Sequence, residues 1–124
     1  MKLDHDLVRL VLLEIEDKTT IKDDLQISDF SIPNYSNEEI TYTIQKLNEA
    51  GYINAKIKSF IGGSVFFVDS LTWDGHQFLD NIRDDNVWDK TKGILSKFSS
   101  ASLSIASDVA ANVITKLINQ QMGF

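Results

Sequence analysis

The segment from Ser36 to Leu79, SNEEITYTIQKLNEAGYINAKIKSFIGGSVFFVDSLTWDGHQFL, constrains the fold more than any other part of the chain. It reads as a helix, a tight hairpin and a second helix. Ser36 and Glu39 form an S-x-x-E capping box, in which each side chain satisfies a backbone donor of the other residue. Ile40, Ile44 and Leu47 recur at helical spacing and predict an inward stripe over residues 37–50. Gly51 then stands where a helix ends in the left-handed conformation. The pattern that follows predicts strands over 52–61 and 64–71 around Gly62-Gly63, a strong two-residue turn signal. That register sets Ile57 opposite Val68 and Lys56 opposite Asp69, a cross-strand ion pair. Ile53, Ala55, Ile57, Phe66 and Val68 share the buried face, and Tyr52, Lys56, Lys58, Phe60, Val65 and Phe67 the other, with Lys58 over an aromatic neighbour. Thr72 is expected to cap a helix over 73–82 whose core side is Phe78, Leu79 and Ile82.

The flanks are helical at both ends and irregular between. Residues 4–16 predict a helix capped by Asp4, with Leu7, Val8, Val11, Leu12 and Ile15 on one broad face. Residues 18–35 lack helical periodicity. Leu25 to Ser28 alternates and is expected to add a short strand to the hairpin, and Pro33-Asn34 marks a turn. Asn86 is expected to cap a helix over 87–98 with Val87, Trp88, Thr91 and Leu95 along one side. After the bend at Ser99–Ser102, a last helix over 103–121 carries a stripe of Leu103, Ala106, Ala110, Val113, Ile114 and Leu117. Trp88 reads as core, Trp73 as a surface residue and His76 as a partly buried helix residue.

Composition bounds what such a chain does. Its 124 residues, 43% hydrophobic and 24% charged, suit one α+β domain with its own core. The absence of cysteine excludes disulfides, thiolate metal sites and cysteine nucleophiles, and fits a reducing, cytoplasmic setting. No run approaches the roughly 18 apolar residues of a membrane span, so no membrane partner is expected. There is no nucleophile–base motif and no phosphate-cradling loop, and His5 and His76 have no partners at metal-ligand spacing. An enzyme is therefore the least expected class, and no cofactor or metal is expected. Asp80, Asp84, Asp85 and Asp89 surround a helix boundary and read as solvated caps. The net charge of −6 is uneven: residues 1–35 sum to −4, residues 36–68 to zero and residues 69–124 to −2. The least acidic third is thus the helix–hairpin unit, yet it is not basic, whereas phosphate neutralisation supplies most of a DNA binder's affinity.

EEITYTIQKLNEAGYI, a hairpin and then LTWDGHQFLDNIRDDNVWDKTKGIL resemble, in order and spacing, small bacterial and phage-associated winged-helix proteins: the YjcQ-like proteins and a related family of unknown function. The matching residues are Leu71, Thr72, Gly75, Phe78, Leu79, Trp88 and Lys90, and the resemblance covers roughly residues 4–98. It implies a winged-helix-like domain over 1–98 and a C-terminal helical extension over 99–124. In winged helices that read DNA, the recognition helix corresponds to Ser36–Ala50. Thr41, Tyr42, Gln45 and Lys46 would then face the groove of double-stranded DNA, with Lys58 and the Gly62-Gly63 tip near the backbone. The resemblance points to a small non-enzymatic, DNA-binding or transcription-associated regulator of bacterial or prophage origin, a homodimer through its last helix. The alternative expectation is an acidic adaptor that binds a protein partner with the same scaffold.

Overall fold

The computed structural model describes residues 1–123. Five α-helices and a two-stranded antiparallel hairpin make an α+β chain, in an order compatible with a winged-helix-like arrangement. Contacts cluster into two compact units, residues 1–76 and the residues from Gln77 onward.

In the first unit, α1 (His5–Lys18) starts where the Asp4 carboxylate accepts the Leu7 N–H at 3.1 Å. Its five expected apolar residues, Leu7, Val8, Val11, Leu12 and Ile15, are all buried. The following segment crosses to the hairpin without a second helix. It forms a single antiparallel bridge, Leu25 to Val68, and one 3-10 turn at Ile27–Asp29. The expected short strand is thus one residue long, because Asp29 accepts the Gln26 N–H and turns the chain away. Asn34, after Pro33, takes the left-handed conformation at φ 72°.

Helix α2 (Asn37–Glu49) opens on the reciprocal capping box: the Ser36 hydroxyl accepts the Glu39 N–H and Glu39 accepts the Ser36 N–H. Ile40, Thr43, Ile44 and Leu47 are buried, and α2 packs on α1 and on the first strand. The helix closes in a Schellman motif. Gly51, at φ 82°, donates to the Asn48 carbonyl, and Tyr52 donates to the Leu47 carbonyl.

The hairpin comprises β1 (Ile53–Phe60) and β2 (Gly63–Leu71), with Phe60 opposite Gly63. The loop is therefore Ile61-Gly62, not Gly62-Gly63, and the register differs by two residues from the one expected. Ile57 lies opposite Phe66 and Lys56 opposite Phe67, so the expected Lys56–Asp69 pairing does not form. A shift of two keeps every side chain on its face, since faces alternate with period two. Phe66 and Val68 are accordingly buried, and Lys58 stands 5.5 Å from the Phe67 ring centroid. Ile57 shares their face but is 46% exposed, because the distal hairpin projects past the core. Near the base the register shifts between Asn54 and Ala55, which leaves Asp69 as an extra residue on β2. The shift sets Ile53 opposite Leu71, both buried.

Thr72 joins the hairpin to α3 (Trp73–Ile82). Its N–H donates to the Tyr52 carbonyl at 3.0 Å, and its hydroxyl donates to the Gly51 carbonyl at 2.6 Å while accepting the Gly75 N–H at 3.0 Å. Gly75 sits so close to Tyr52 that a Cβ there would overlap the Tyr52 carbonyl oxygen.

In the second unit, Phe78, Leu79 and Ile82 of α3 are buried. Helix α4 spans Asp85–Leu95 and is capped by Asp84, two residues before the expected Asn86, since the Asp84 carboxylate accepts the Val87 N–H at 2.9 Å. Val87, Trp88 and Thr91 are buried. Helix α5 (Leu103–Gln121) has the expected bounds, is capped by Ser102 and packs on α4, with Ala106 and Ala110 buried. Asn81 donates to the Ser107 hydroxyl at 2.9 Å.

Gly75→Ala and Thr72→Val should each lower unfolding free energy by about 1–3 kcal/mol, the first by overpacking and the second by loss of the cap and its bond to Gly51. Gly93→Ala, in open space on α4, should raise it by about 0.5–1 kcal/mol. Urea denaturation of the three variants checks this; equal stability of Gly75→Ala and wild type would show that Tyr52 yields to the methyl group.

Candidate functional site

The residues expected to face a partner fall on two elements of the first unit. Thr41, Tyr42, Gln45 and Lys46 lie on one side of α2, half-buried except for the exposed Gln45. Lys58, Gly62 and Gly63 lie on the hairpin and are exposed. A hollow of about 90 Å³ takes only members of the first set: Thr41 and Gln45 line it with Ile57, Ser64, Val65 and Phe66 of the hairpin and with Gln26 and Ile27, whereas Lys58, Gly62 and Gly63 do not line it. Tyr42 opens onto a neighbouring, shallower surface of about 390 Å³ shared with Met1, Ile27, Glu38 and Gln45. The contribution of Gln26 and Ile27 was not legible, because the chain reaches that place only through the Leu25 bridge.

This surface is not basic. Helix α2 carries Glu38, Glu39 and Glu49 against one cation, Lys46. Lys46 is engaged twice: its ammonium is 2.8 Å from a Glu49 carboxylate oxygen and 5.4 Å from the Tyr42 ring centroid. The hydrogen bond that Lys46 donates to Glu49, then the Glu49 charge, raise the Lys46 pKa above its ordinary value. The lysine is thus charged but balanced. The hairpin adds Lys56 and Lys58, and its tip is apolar: Phe60 is 59% exposed and Ile61 fully so. The end of the hairpin thus exposes two large apolar side chains in succession.

Other singled-out residues take ordinary places. Trp73 is 77% exposed and Trp88 buried, as expected. His76 is exposed rather than partly buried, with its Nδ1 3.8 Å from a Glu16 carboxylate oxygen. Asp4 is the cap of α1, as expected, and accepts the Tyr35 hydroxyl at 3.4 Å. Burial first, then the carboxylates of Asp4 and Asp6, raise the Tyr35 pKa above its usual value. Among the described residues no three His, Cys, Asp or Glu side chains group as metal ligands, and no helix is long and apolar enough to cross a membrane.

A second, larger groove of about 950 Å³ runs along α1 beside residues 31–35, with Leu10, Leu13 and Ile32 among Asp6, Glu14 and Asp17. Glu14 is occupied structurally there, pairing with Lys18 at 2.9 Å and accepting the Ser31 N–H at 2.8 Å.

Because the Lys46–Glu49 pair lies at the surface and is screened by solvent, Lys46→Ala should leave stability close to that of the wild type. Urea denaturation checks this, and a clear loss would make Lys46 a structural residue and not a surface one.

Residues 2–102 match the model of a family described as hypothetical protein, DUF2513. An uncharacterized protein of Haemophilus influenzae is 33% identical over 119 residues, which cover 95% of this chain and 99% of that one. No solved structure matches the chain. The family match runs through both strands and the first four helices to Ser102, the cap of α5, and on that extent the chain belongs to the DUF2513 family.

Proposed function

We propose that this chain acts by binding and not by catalysis, and that its partner is a protein. The observation that carries the reading is the pairing of an acid-rich α2 face with an apolar hairpin tip. A duplex-binding helix presents cations that release counterions from phosphate. Here the three glutamates of α2 outnumber Lys46, and Lys46 is already balanced by Glu49. At the tip, Phe60 and Ile61 present apolar area that a polar, heavily charged phosphate backbone does not bury. A non-enzymatic adaptor using a winged-helix-like scaffold accounts for both, and a chain without cysteine suits the cytoplasm.

A second reading, a DNA-binding or transcription-associated regulator, draws support from one arrangement. Thr41 and Gln45 share a hollow with a hairpin whose other face bears Lys56 and Lys58, so α2 would meet a groove while the hairpin reaches a flanking backbone.

Two measurements separate these readings. Fluorescence anisotropy of random duplex DNA, titrated at an ionic strength on the order of 10 mM, should show no binding. Binding that collapses with added salt and weakens in Lys46→Ala and Lys58→Ala would replace the adaptor with the regulator. In cells, a photo-crosslinking residue at Gln45 or Ile61 should give a discrete protein adduct that the same residue at Asp108 does not.

A further inference from the structure

The direction of each backbone group in the hairpin follows from a few bonds. Ala55 donates its N–H to the Asn48 side chain at 3.1 Å, so on β1 the residues in phase with Ala55 turn their polar groups away from β2. Val68 exchanges both backbone bonds with Leu25, at 2.9 and 2.8 Å, so on β2 the residues in phase with Val68 turn theirs away from β1. Those residues are Phe66 and Ser64. Among the described residues, nothing bonds their outward N–H and C=O groups.

The two edges are not equally guarded. The first is blocked at Ala55 by Asn48 and runs through Lys56 and Lys58, the charged side chains that keep an edge from pairing. Along the second, Gly63 to Val68 reads GSVFFV, with no charge, no proline and strong β preference. A run of that composition on an open edge is a template for another strand.

We propose that two copies of this chain pair β2 edge to β2 edge, antiparallel, about a two-fold axis at Val65. The register is self-complementary. Ser64 falls opposite Phe66 of the second copy and Phe66 opposite its Ser64, and each pair exchanges two hydrogen bonds, so all four outward groups of each edge are used. The length also fits. In this register Val68 falls opposite Gly62 of the second copy, in its turn, and Val68 is where Leu25 already occupies the edge. The pairing ends where the free edge ends. The two Val65 side chains, each 38% exposed, meet across the axis. Two chains of net charge −6 meet through a stretch, Ser59–Val68, that carries no charge at all. The product is one four-stranded sheet. The pairing takes up Ser64, Val65 and Phe66, which also line the hollow beneath the hairpin, so a further partner of either class would meet the α2 face beside it.

The test is sedimentation velocity of the full chain over a concentration series, with hydrogen exchange of the Ser64 and Phe66 amides on the same samples. The wild type should pass from monomer to dimer as concentration rises, and the two amides should become protected in step. Val65→Lys sets two cations across the axis, and Ser64→Pro removes one outward donor; both should stay monomeric with an unchanged circular dichroism spectrum. If Ser64→Pro fails to fold, Val65→Lys alone decides, since its site is on the surface. A wild type that stays monomeric throughout overturns the proposal. So does a dimer that survives Val65→Lys with both amides exchanging freely, which would move the contact elsewhere, first to the exposed Ile105 and Ile118 of α5.

Discussion

One threonine hydroxyl sets the geometry of the candidate surface. The Schellman turn that closes α2 leaves the Gly51 and Tyr52 carbonyls pointing out of the helix end, and Thr72 takes both, one with its hydroxyl and one with its N–H. The same hydroxyl then accepts from Gly75 and starts α3. Gly75 is required because the helix begins against the Tyr52 carbonyl, with no room for a side chain. The end of α2, the base of both strands and the start of α3 therefore share one hydrogen-bonded junction. A hairpin alone is marginal in water; this one is held at its root by that junction, by Asn48 and by Leu25.

This junction gives the shared sequence signals a physical meaning. AGYI and LTxxG are the two halves of the clamp, and the residues that make them recognisable touch each other rather than a partner. They hold the orientation of the hairpin relative to α2. What α2 and the hairpin present outward is separate from this clamp: acidic on the helix and apolar at the tip.

Much of the fold was legible because local chemistry and global packing agree. The capping box at Ser36, the left-handed Gly51, the Asp4 cap and both ends of α5 follow from hydrogen bonds that are local in sequence. Where several residues offered the same chemistry, the choice went astray. Asp84 and Asn86 are both competent caps, and Asp84 wins by position. Two adjacent glycines suggested that the turn lay on both, yet the loop takes Ile61 and Gly62. Of the site, the α2 face could be read from periodicity. The hollow beneath the hairpin could not, since Gln26 and Ile27 arrive there through one non-local bridge.

The extra residue at Asp69 acts as a phase shifter. Up to Val68, even-numbered residues of β2 enter the core; beyond it, Leu71 does, and Thr72 arrives turned toward Gly51. Asp69 itself is exposed, so its identity is free, but its presence is not. Deleting it would turn Leu71 outward and rotate the Thr72 hydroxyl off its acceptor, whereas replacing it would do neither. This short stretch should therefore drift readily in composition among relatives while holding its length, the reverse of what surface loops usually permit.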